Sequence, residues 1–294
     1  MNPIALATSR YGPSAVMALC RVLPGGAVER LAGGLARSLA GRHDLAFVQA
    51  LRANLAVVRG RAEDDAEVDQ TLVALLHNTL VSYADFFRAV GDAPGAAPGA
   101  CDLDPGAVRL LEACRAEGRG LVLVGAHMCS FDLLLLGLRD LCPSVQVLSN
   151  ADPRGSSRVM NDIRRAQGLA VTPLSVASLR QAVQRLHEGG VVALAADLPL
   201  AGGEELTFFG RPARLPVGHA RLALGTGARI VVGISHRSGP GCYRAEMAPC
   251  PRPRSVGDRR QDVVRWAQDS LALLEGMIGR WYREWLMPLP VWAG

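Results

Sequence analysis

His127 and Asp132 are the residues of this sequence whose types and spacing best suit chemistry, and they lie in GAHMCSFDL, residues 125–133. A neutral imidazole can take a proton from a hydroxyl, and a neighbouring carboxylate fixes its tautomer and stabilises the imidazolium that forms. A His-x4-Asp pattern also occurs by chance. The alternative is a histidine bonded to the backbone of a turn, with Asp132 capping a helix.

The elements predicted around this pair place it at the edge of a sheet. The apolar run GLVLVG, residues 120–125, predicts a buried strand, and the pattern that follows predicts a helix over residues 130–140. Positions i and i+5 do not face each other within one helix, but they can meet across a strand-to-helix turn. Because ligands bind at the carboxyl ends of strands in open α/β sheets, His127 is a candidate general base.

Two nucleophile candidates, Cys129 and Ser130, lie beside this histidine. No G-x-S-x-G turn encloses Ser130, and no cysteine-hydrolase signature surrounds Cys129. A buried cysteine is usually a small apolar residue of the core. The sequence therefore favours direct proton transfer by His127 over covalent catalysis.

A second segment with the residue types of a site is ADLPLAGGEELTFFGRPARLPVGHARLA, residues 196–223. It follows a strand predicted over residues 191–196, so its loop should reach the same sheet edge as His127. The segment contains carboxylates, arginines and aromatic rings, the residue types that a site for a charged head group and an apolar chain needs. The alternative is a solvated loop whose phenylalanines enter the core. The residues concerned are Asp197, Glu204, Glu205, Phe208, Phe209, Arg211 and Arg214.

The order of predicted elements indicates an α/β protein with a mixed, largely parallel central sheet covered by helices on both faces. Residues 1–90 predict an N-terminal, membrane-proximal helical layer, and the Gly- and Pro-rich residues 91–106 predict a loop. Strands and helices alternate over the core, residues 107–294. We expect the 294 residues to form a single domain.

Composition excludes some classes of protein. All 32 basic residues are arginines, so a P-loop NTPase and Schiff-base chemistry, which both need lysine, are excluded. The net charge of +5 suggests an anionic partner: a membrane surface, a nucleic acid or a phosphorylated substrate. The basic run PRPRSVGDRR, residues 251–260, lacks aromatic interleaving, which favours a solvated loop over nucleic-acid binding. The seven cysteines form no C-x-x-C pair, so we expect reduced thiols and no zinc.

The hydropathy pattern predicts a protein that lies on a membrane rather than one that crosses it. No window reaches the roughly 18–20 apolar residues that a span needs, and the N-terminus does not read as a signal peptide. Residues 1–42 carry five arginines and one acidic residue, Glu29, on an apolar helical pattern. This combination fits a helix at the surface of an anionic bilayer. The alternative is an amphipathic helix packed on the core.

Several motifs, taken in order, resemble the bacterial lysophospholipid acyltransferase-like superfamily, in the branch that holds the lipid A late acyltransferases and the phosphatidylinositol mannoside acyltransferases. The resemblance covers most of the chain from about residue 20 onward, and the ordered set of motifs is more specific than any one of them. The motifs are the histidine segment, RANLAVVRG (52–60), FFGRPARLPVGHARLAL (208–224), TGARIVV (226–232) and RWYREWLMPLPVW (280–292).

This resemblance implies transfer of a fatty acyl group from acyl-CoA or acyl carrier protein to a lipid hydroxyl. His127 matches the catalytic base of the family, and Asp132 matches the second member of its His-x4-Asp motif. Glu205 is the best match to a glutamate that precedes Phe-Phe-Gly and pairs with the histidine, with Glu204 as a rival. Arg164 resembles an arginine that lines the cleft.

The same resemblance sets expectations for ligands and location. We expect an apolar groove for the acyl chain near Phe131 and Phe208, phosphate contacts from arginines, and no metal or redox cofactor. The partners would be an acyl thioester and a membrane glycolipid or lysophospholipid, at the cytoplasmic face of the bacterial plasma membrane. The alternative is a catalytically silent lipid-binding or scaffold protein of the same fold.

Overall fold

The structure, a computed structural model, describes residues 17–20, 22–90, 101–142 and 145–292. An N-terminal layer holds helices α1 (Gly25–Ala40), α2 (Ala46–Arg59) and α3 (Ala66–Ala89). Helix α3 begins where the Asp65 carboxylate accepts a hydrogen bond from the main-chain N–H of Glu67, which satisfies a donor of the first turn. These bounds confirm the predicted N-terminal helices.

The central sheet of the described chain has seven strands. They are β1 (Asp102–Leu103), β2 (Leu121–Gly125), β3 (Val145–Ser149), β4 (Ala170–Pro173), β5 (Val191–Ala195), β8 (Arg229–Gly239) and β9 (Cys242–Cys250). The order is β1-β9-β8-β2-β5-β3-β4. Strands β8, β2, β5, β3 and β4 run parallel, and β9 runs antiparallel to β8. The prediction of a mixed, largely parallel sheet is confirmed.

Helices cover both faces of this sheet, as predicted. They are α4 (Pro105–Ala116), α5 (Phe131–Leu141), α6 (Ser156–Ala166), α7 (Val176–His187), α8 (Gly218–Thr226) and α9 (Arg259–Trp281), followed by a 3-10 turn, Tyr282–Glu284. Side chains alternate along β2, so Val122 and Val124 enter the layer with α7, α8 and α9, whereas Leu121 and Leu123 enter the layer with α4 and α5. All four are buried, because both faces are covered.

The segment after β5 is a hairpin rather than the predicted loop. It consists of β6 (Glu204–Phe208) and β7 (Arg211–Leu215), which pair antiparallel. Phe209 and Gly210 take positive φ angles of 49° and 70° at its turn. Buried and exposed side chains alternate along both strands of the hairpin. The buried ones are Leu206, Phe208, Ala213 and Leu215.

Two further expectations concern the N-terminal part. Residues 1–16 and 91–100, which include most of the predicted loop, lie outside the described residues, and Asp102–Leu103 forms a strand where that loop is expected to continue. Helix α1 buries Val28 and Ala32 but leaves Leu31 and Leu35 59% and 46% exposed. In the part of the chain that the structure describes, no helix is both long and apolar enough to cross a bilayer.

Candidate active site

His127 is placed by the end of β2, and its partner is placed by the end of β5. These strands are parallel neighbours in which Gly125 is level with Ala195. Both strands end at this pair, and His127 and Asp197 each stand two residues further along the chain, in the loops that leave the same edge of the sheet. Nδ1 of His127 lies 2.7 Å from Oδ1 of Asp197, and the main-chain N–H of His127 donates to Oδ2 at 2.8 Å.

A third donor completes the surroundings of the Asp197 carboxylate. The indole N–H of Trp285 donates to Oδ2 at 2.8 Å, and the Asp197 side chain is fully buried. Burial alone would raise the pKa of Asp197, but the charge of His127 and these three hydrogen bonds outweigh burial and lower that pKa below its usual value. The carboxylate therefore stays ionised beside the imidazole.

The pKa of the His127 imidazole is shifted upward, whereas that of Asp197 is shifted downward. Burial disfavours its charged form, but the charge of Asp197 and the hydrogen bond to it are together stronger, so the pKa of His127 is raised. Since a carboxylate can only accept, the neutral imidazole carries its proton on Nδ1 and leaves the lone pair on Nε2. The His127 side chain is 39% exposed, so the ring is accessible from outside.

Asp132 is not the partner of His127, which corrects the expectation from the His-x4-Asp pattern. Its carboxylate forms a bidentate ion pair with Arg164, with Nε–Oδ1 at 2.5 Å and Nη2–Oδ2 at 3.1 Å. Arg164 also donates to Asn161 Oδ1 at 2.9 Å. Helix α5 turns Asp132 toward helix α6, where the planar guanidinium matches both carboxylate oxygens. Arg164 remains near the site, since its charge acts to lower the pKa of His127.

Glu205 and Glu204 do not pair with His127 either. Glu205 is exposed on β6, on the face opposite to Leu206. The Glu204 carboxylate pairs with Arg260 at 3.0 Å and with Arg221 at 3.4 Å. The expectation that one of these glutamates orients the histidine is therefore wrong in the structure, because the alternation along β6 directs Glu205 to solvent.

Two of the aromatic candidates, Phe208 and Phe209, pack against Trp285, which donates to Asp197. Phe208 is fully buried, and its ring centroid lies 4.7 Å from that of Phe209 and 6.0 Å from that of Trp285. The hairpin thus packs against the residue that holds Asp197. Phe131 is half-buried at the start of α5.

Arg211 and Arg214 are exposed on β7. Their charges are thus available on the surface of the hairpin.

The two nucleophile candidates are both buried. The Cys129 sulfur lies 3.6 Å from Ser82 Oγ and 3.6 Å from Glu284 Oε2, and burial raises the pKa of its thiol well above the usual value. The Ser130 hydroxyl donates to Ser235 Oγ at 2.9 Å. An inert thiol and an engaged hydroxyl fit structural roles.

Sequence reasoning overlooked the roles of Asp197 and Trp285. The sequence presents Asp197 as one polar residue among several in a segment after β5, although its position after the strand beside β2 is a usable signal. Trp285 belongs to the aromatic C-terminal motif of the resemblance, but nothing in the sequence connects it to residue 197. Among the described residues, no cluster of three or more His, Cys, Asp or Glu side chains could hold a metal ion.

A buried carboxylate that orients an accessible histidine at the carboxyl edge of a parallel sheet is an arrangement that can support general-base catalysis. Comparison with known families specifies the class further, because residues 6–293 match the family described as bacterial lipid A biosynthesis acyltransferase. The chain belongs to this family and is an acyltransferase. The resemblance stated from the sequence motifs is thereby confirmed.

Individual relatives point in the same direction. The chain is 28% identical to a phosphatidylinositol mannoside acyltransferase of Mycolicibacterium smegmatis over 235 residues, which cover 78% of this chain and 75% of the relative. It is 33% identical to a phosphatidylinositol mannoside acyltransferase of Mycobacterium tuberculosis over 126 residues, which cover 41% of this chain and 40% of the relative.

Proposed function

We propose that this acyltransferase moves a fatty acyl group from an acyl thioester, carried by CoA or acyl carrier protein, to a hydroxyl of a glycolipid or lysophospholipid. The observation that carries the proposal is the 2.7 Å hydrogen bond between His127 and the fully buried Asp197. It supplies a base with a defined tautomer in a chain of this family. The names of the mannoside acyltransferase relatives support a glycolipid acceptor.

In the proposed reaction, Nε2 of His127 takes the proton of the acceptor hydroxyl while its oxygen attacks the thioester carbonyl carbon. The carbonyl π electrons move to oxygen, then re-form the double bond as the C–S bond breaks. The thiolate leaves and takes the proton from the imidazolium, so one ester and one thiol replace one alcohol and one thioester. Asp197 stabilises the imidazolium in between. A thiol is a good leaving group, so no acyl-enzyme is required.

The surrounding groups have proposed supporting roles. The positive end of α5, beginning at Phe131, is a candidate to stabilise the developing oxyanion. The half-buried ring of Phe131 is the candidate for a wall of the acyl groove, whereas Phe209 packs in the layer on the other face of the sheet. Phe208 would act only through packing, because it is fully buried. Arg211 and Arg214 would meet phosphates of the donor or acceptor.

Membrane association at the cytoplasmic face is part of the same proposal. Helix α1 exposes Leu31 and Leu35 together with Arg30 and Arg37, while its opposite face packs inward. Exposed leucines beside arginines suit the boundary between acyl chains and anionic head groups. A lipid acceptor would be met at this surface.

Release of free thiol from acyl-CoA in the presence of a bacterial lipid extract tests the reaction. Wild-type protein should release thiol, and His127→Ala should lose about 10²–10⁴-fold of that rate. Radiolabelled acyl groups should appear in a lipid product. A folded wild-type protein that binds lipid but transfers no acyl group from either CoA or acyl carrier protein would favour the silent lipid-binding alternative.

A further inference from the structure

The C-terminal segment, residues 282–292, lies directly against the loop that carries His127. The main-chain N–H of Cys129 donates to Glu284 O at 2.8 Å, and the N–H of Leu286 donates to His127 O at 2.7 Å. Met128 and Trp285 form an antiparallel bridge between these two bonds. The loop thus takes part of its main-chain hydrogen bonding from the far end of the chain.

This segment is itself held by a buried side chain of the N-terminal layer. Asn54 on α2 donates to Met287 O at 2.9 Å and to Leu289 O at 2.8 Å, and it accepts from Val291 N at 3.1 Å. Asn54 is 2% exposed, and these bonds use both of its donors and its acceptor. Trp285 is therefore carried on a backbone with little freedom to move.

We propose that Trp285 is a positioning residue for the transfer reaction, because its indole N–H holds the carboxylate that orients His127. The inference rests on the proposed function. Trp285 is 1% exposed, and its ring packs against those of Phe208, Phe209 and Trp292. The Trp285 side chain touches none of the reacting atoms. It acts through Asp197.

The chemistry of the carboxylate explains why this donor matters. Oδ2 of Asp197 accepts from both the indole and the main-chain N–H of His127, which leaves Oδ1 for the imidazole. Without the indole N–H, the carboxylate retains more negative charge for the imidazolium and is freer to rotate. The charged form of His127 is then favoured, and the geometry of its ring is less well defined.

Other charged groups near His127 have to be held constant in any test. Arg164 faces it from α6 with its charge compensated by Asp132, and Glu284 lies behind Cys129. Burial raises the pKa of Glu284 to about 7, so this group also changes charge near neutral pH. Replacement of Trp285 changes none of these residues.

The experiment compares Trp285→Phe with Trp281→Phe by NMR titration of the imidazole resonances of His127, assigned with His127→Gln. Trp281 provides the matched control, because its indole N–H donates to the Glu246 carboxylate at 2.8 Å on another part of the fold. We expect the titration midpoint of His127 to move to higher pH in Trp285→Phe and to stay at the wild-type value in Trp281→Phe. The acid limb of the activity profile should shift in the same direction.

Turnover gives a second measurement. Trp285→Phe should lower kcat about tenfold, the effect of one lost hydrogen bond to a charged group, with KM for the acyl thioester nearly unchanged. If Trp285→Phe proves unfolded, benzothienylalanine at position 285 keeps the ring shape and removes only the N–H donor.

Two results would overturn the proposal: an unshifted His127 titration in the folded variant, or reduced activity without any change in the pH profile, which indicates packing alone. His127→Ala tests the proposed function separately. If His127→Ala retains full transferase activity, the base assignment fails, while the NMR titration still reports whether Trp285 controls the imidazole.

Discussion

The carboxylate of Asp197 accepts two hydrogen bonds from one residue, His127, through its ring at 2.7 Å and through its main chain at 2.8 Å. A carboxylate held at both oxygens fixes the side chain and the backbone of its partner together. The orientation of the imidazole is thereby coupled to the path of the loop after β2, and a change in either would misdirect Nε2.

Asp197→Asn should abolish most of the transferase activity while leaving the fold intact. The amide has the same shape, but it lacks the charge that stabilises the imidazolium, and its NH₂ group can favour the wrong tautomer of His127. We expect a loss of about 10²–10⁴-fold in kcat. Thiol release from acyl-CoA provides the measurement. Glu205→Gln serves as the comparison and should stay within about twofold of wild type, and equal losses in the two variants would contradict this assignment.

Asp132→Asn should destabilise the protein, because Arg164 would remain with an uncompensated charge. Both side chains are largely buried, with exposed fractions of 10% and 18%. Loss of one member of such a pair costs about 3–5 kcal/mol of the free energy of unfolding. Chemical denaturation measures this change. Arg164→Gln combined with Asp132→Asn should recover part of the loss, and a double variant as unstable as the sum of the single variants would exclude the proposed coupling.

His219 should make the fold sensitive to acid. It is fully buried on α8, both of its ring nitrogens lack a hydrogen-bond partner within the described structure, and burial lowers its pKa to about 4. Below pH 6.5 His219 binds a proton in the unfolded chain but stays neutral in the folded protein. The free energy of unfolding therefore falls as the pH is lowered, until the pH reaches about 4. The total effect is roughly 3 kcal/mol.

His219→Met tests this dependence by denaturation at pH 8 and at pH 5. The variant keeps an apolar side chain of similar size but has nothing to titrate. We expect the loss of stability between the two pH values to be smaller in the variant than in wild type. Identical pH dependence in both proteins would assign the acid sensitivity to other groups.

Substitution of the exposed leucines on α1 should weaken binding to membranes. Leu31→Asp combined with Leu35→Asp replaces apolar surface by charge that an anionic bilayer repels, and we expect binding to fall about tenfold or more. Flotation with phosphatidylglycerol-containing vesicles measures it. Val256→Asp is the matched control, since Val256 is 51% exposed on the segment before α9. Equal loss in both variants would show a general charge effect instead of a specific surface.

Much of the architecture followed from local patterns. The run GLVLVG predicts β2 because both faces of a parallel strand are buried, and the residues after it predict α5 through 3.6-residue spacing. The same reasoning placed His127 at the carboxyl edge of the sheet. The hairpin β6–β7 escaped prediction because Gly and Pro mask the two-residue alternation around Phe208 and Leu215.

The partner of His127 was decided by tertiary structure alone. Asp132 is five residues away in the chain, yet Arg164 on the neighbouring helix provides a bidentate partner that draws it away from the imidazole. Asp197 is 70 residues away, and it meets the histidine because β5 lies beside β2 with level ends. The periodicity of apolar residues in the sequence indicates which side chains are buried. The 2.7 Å hydrogen bond between His127 and Asp197 depends instead on strand order and register. Those are set by the packing of the whole chain.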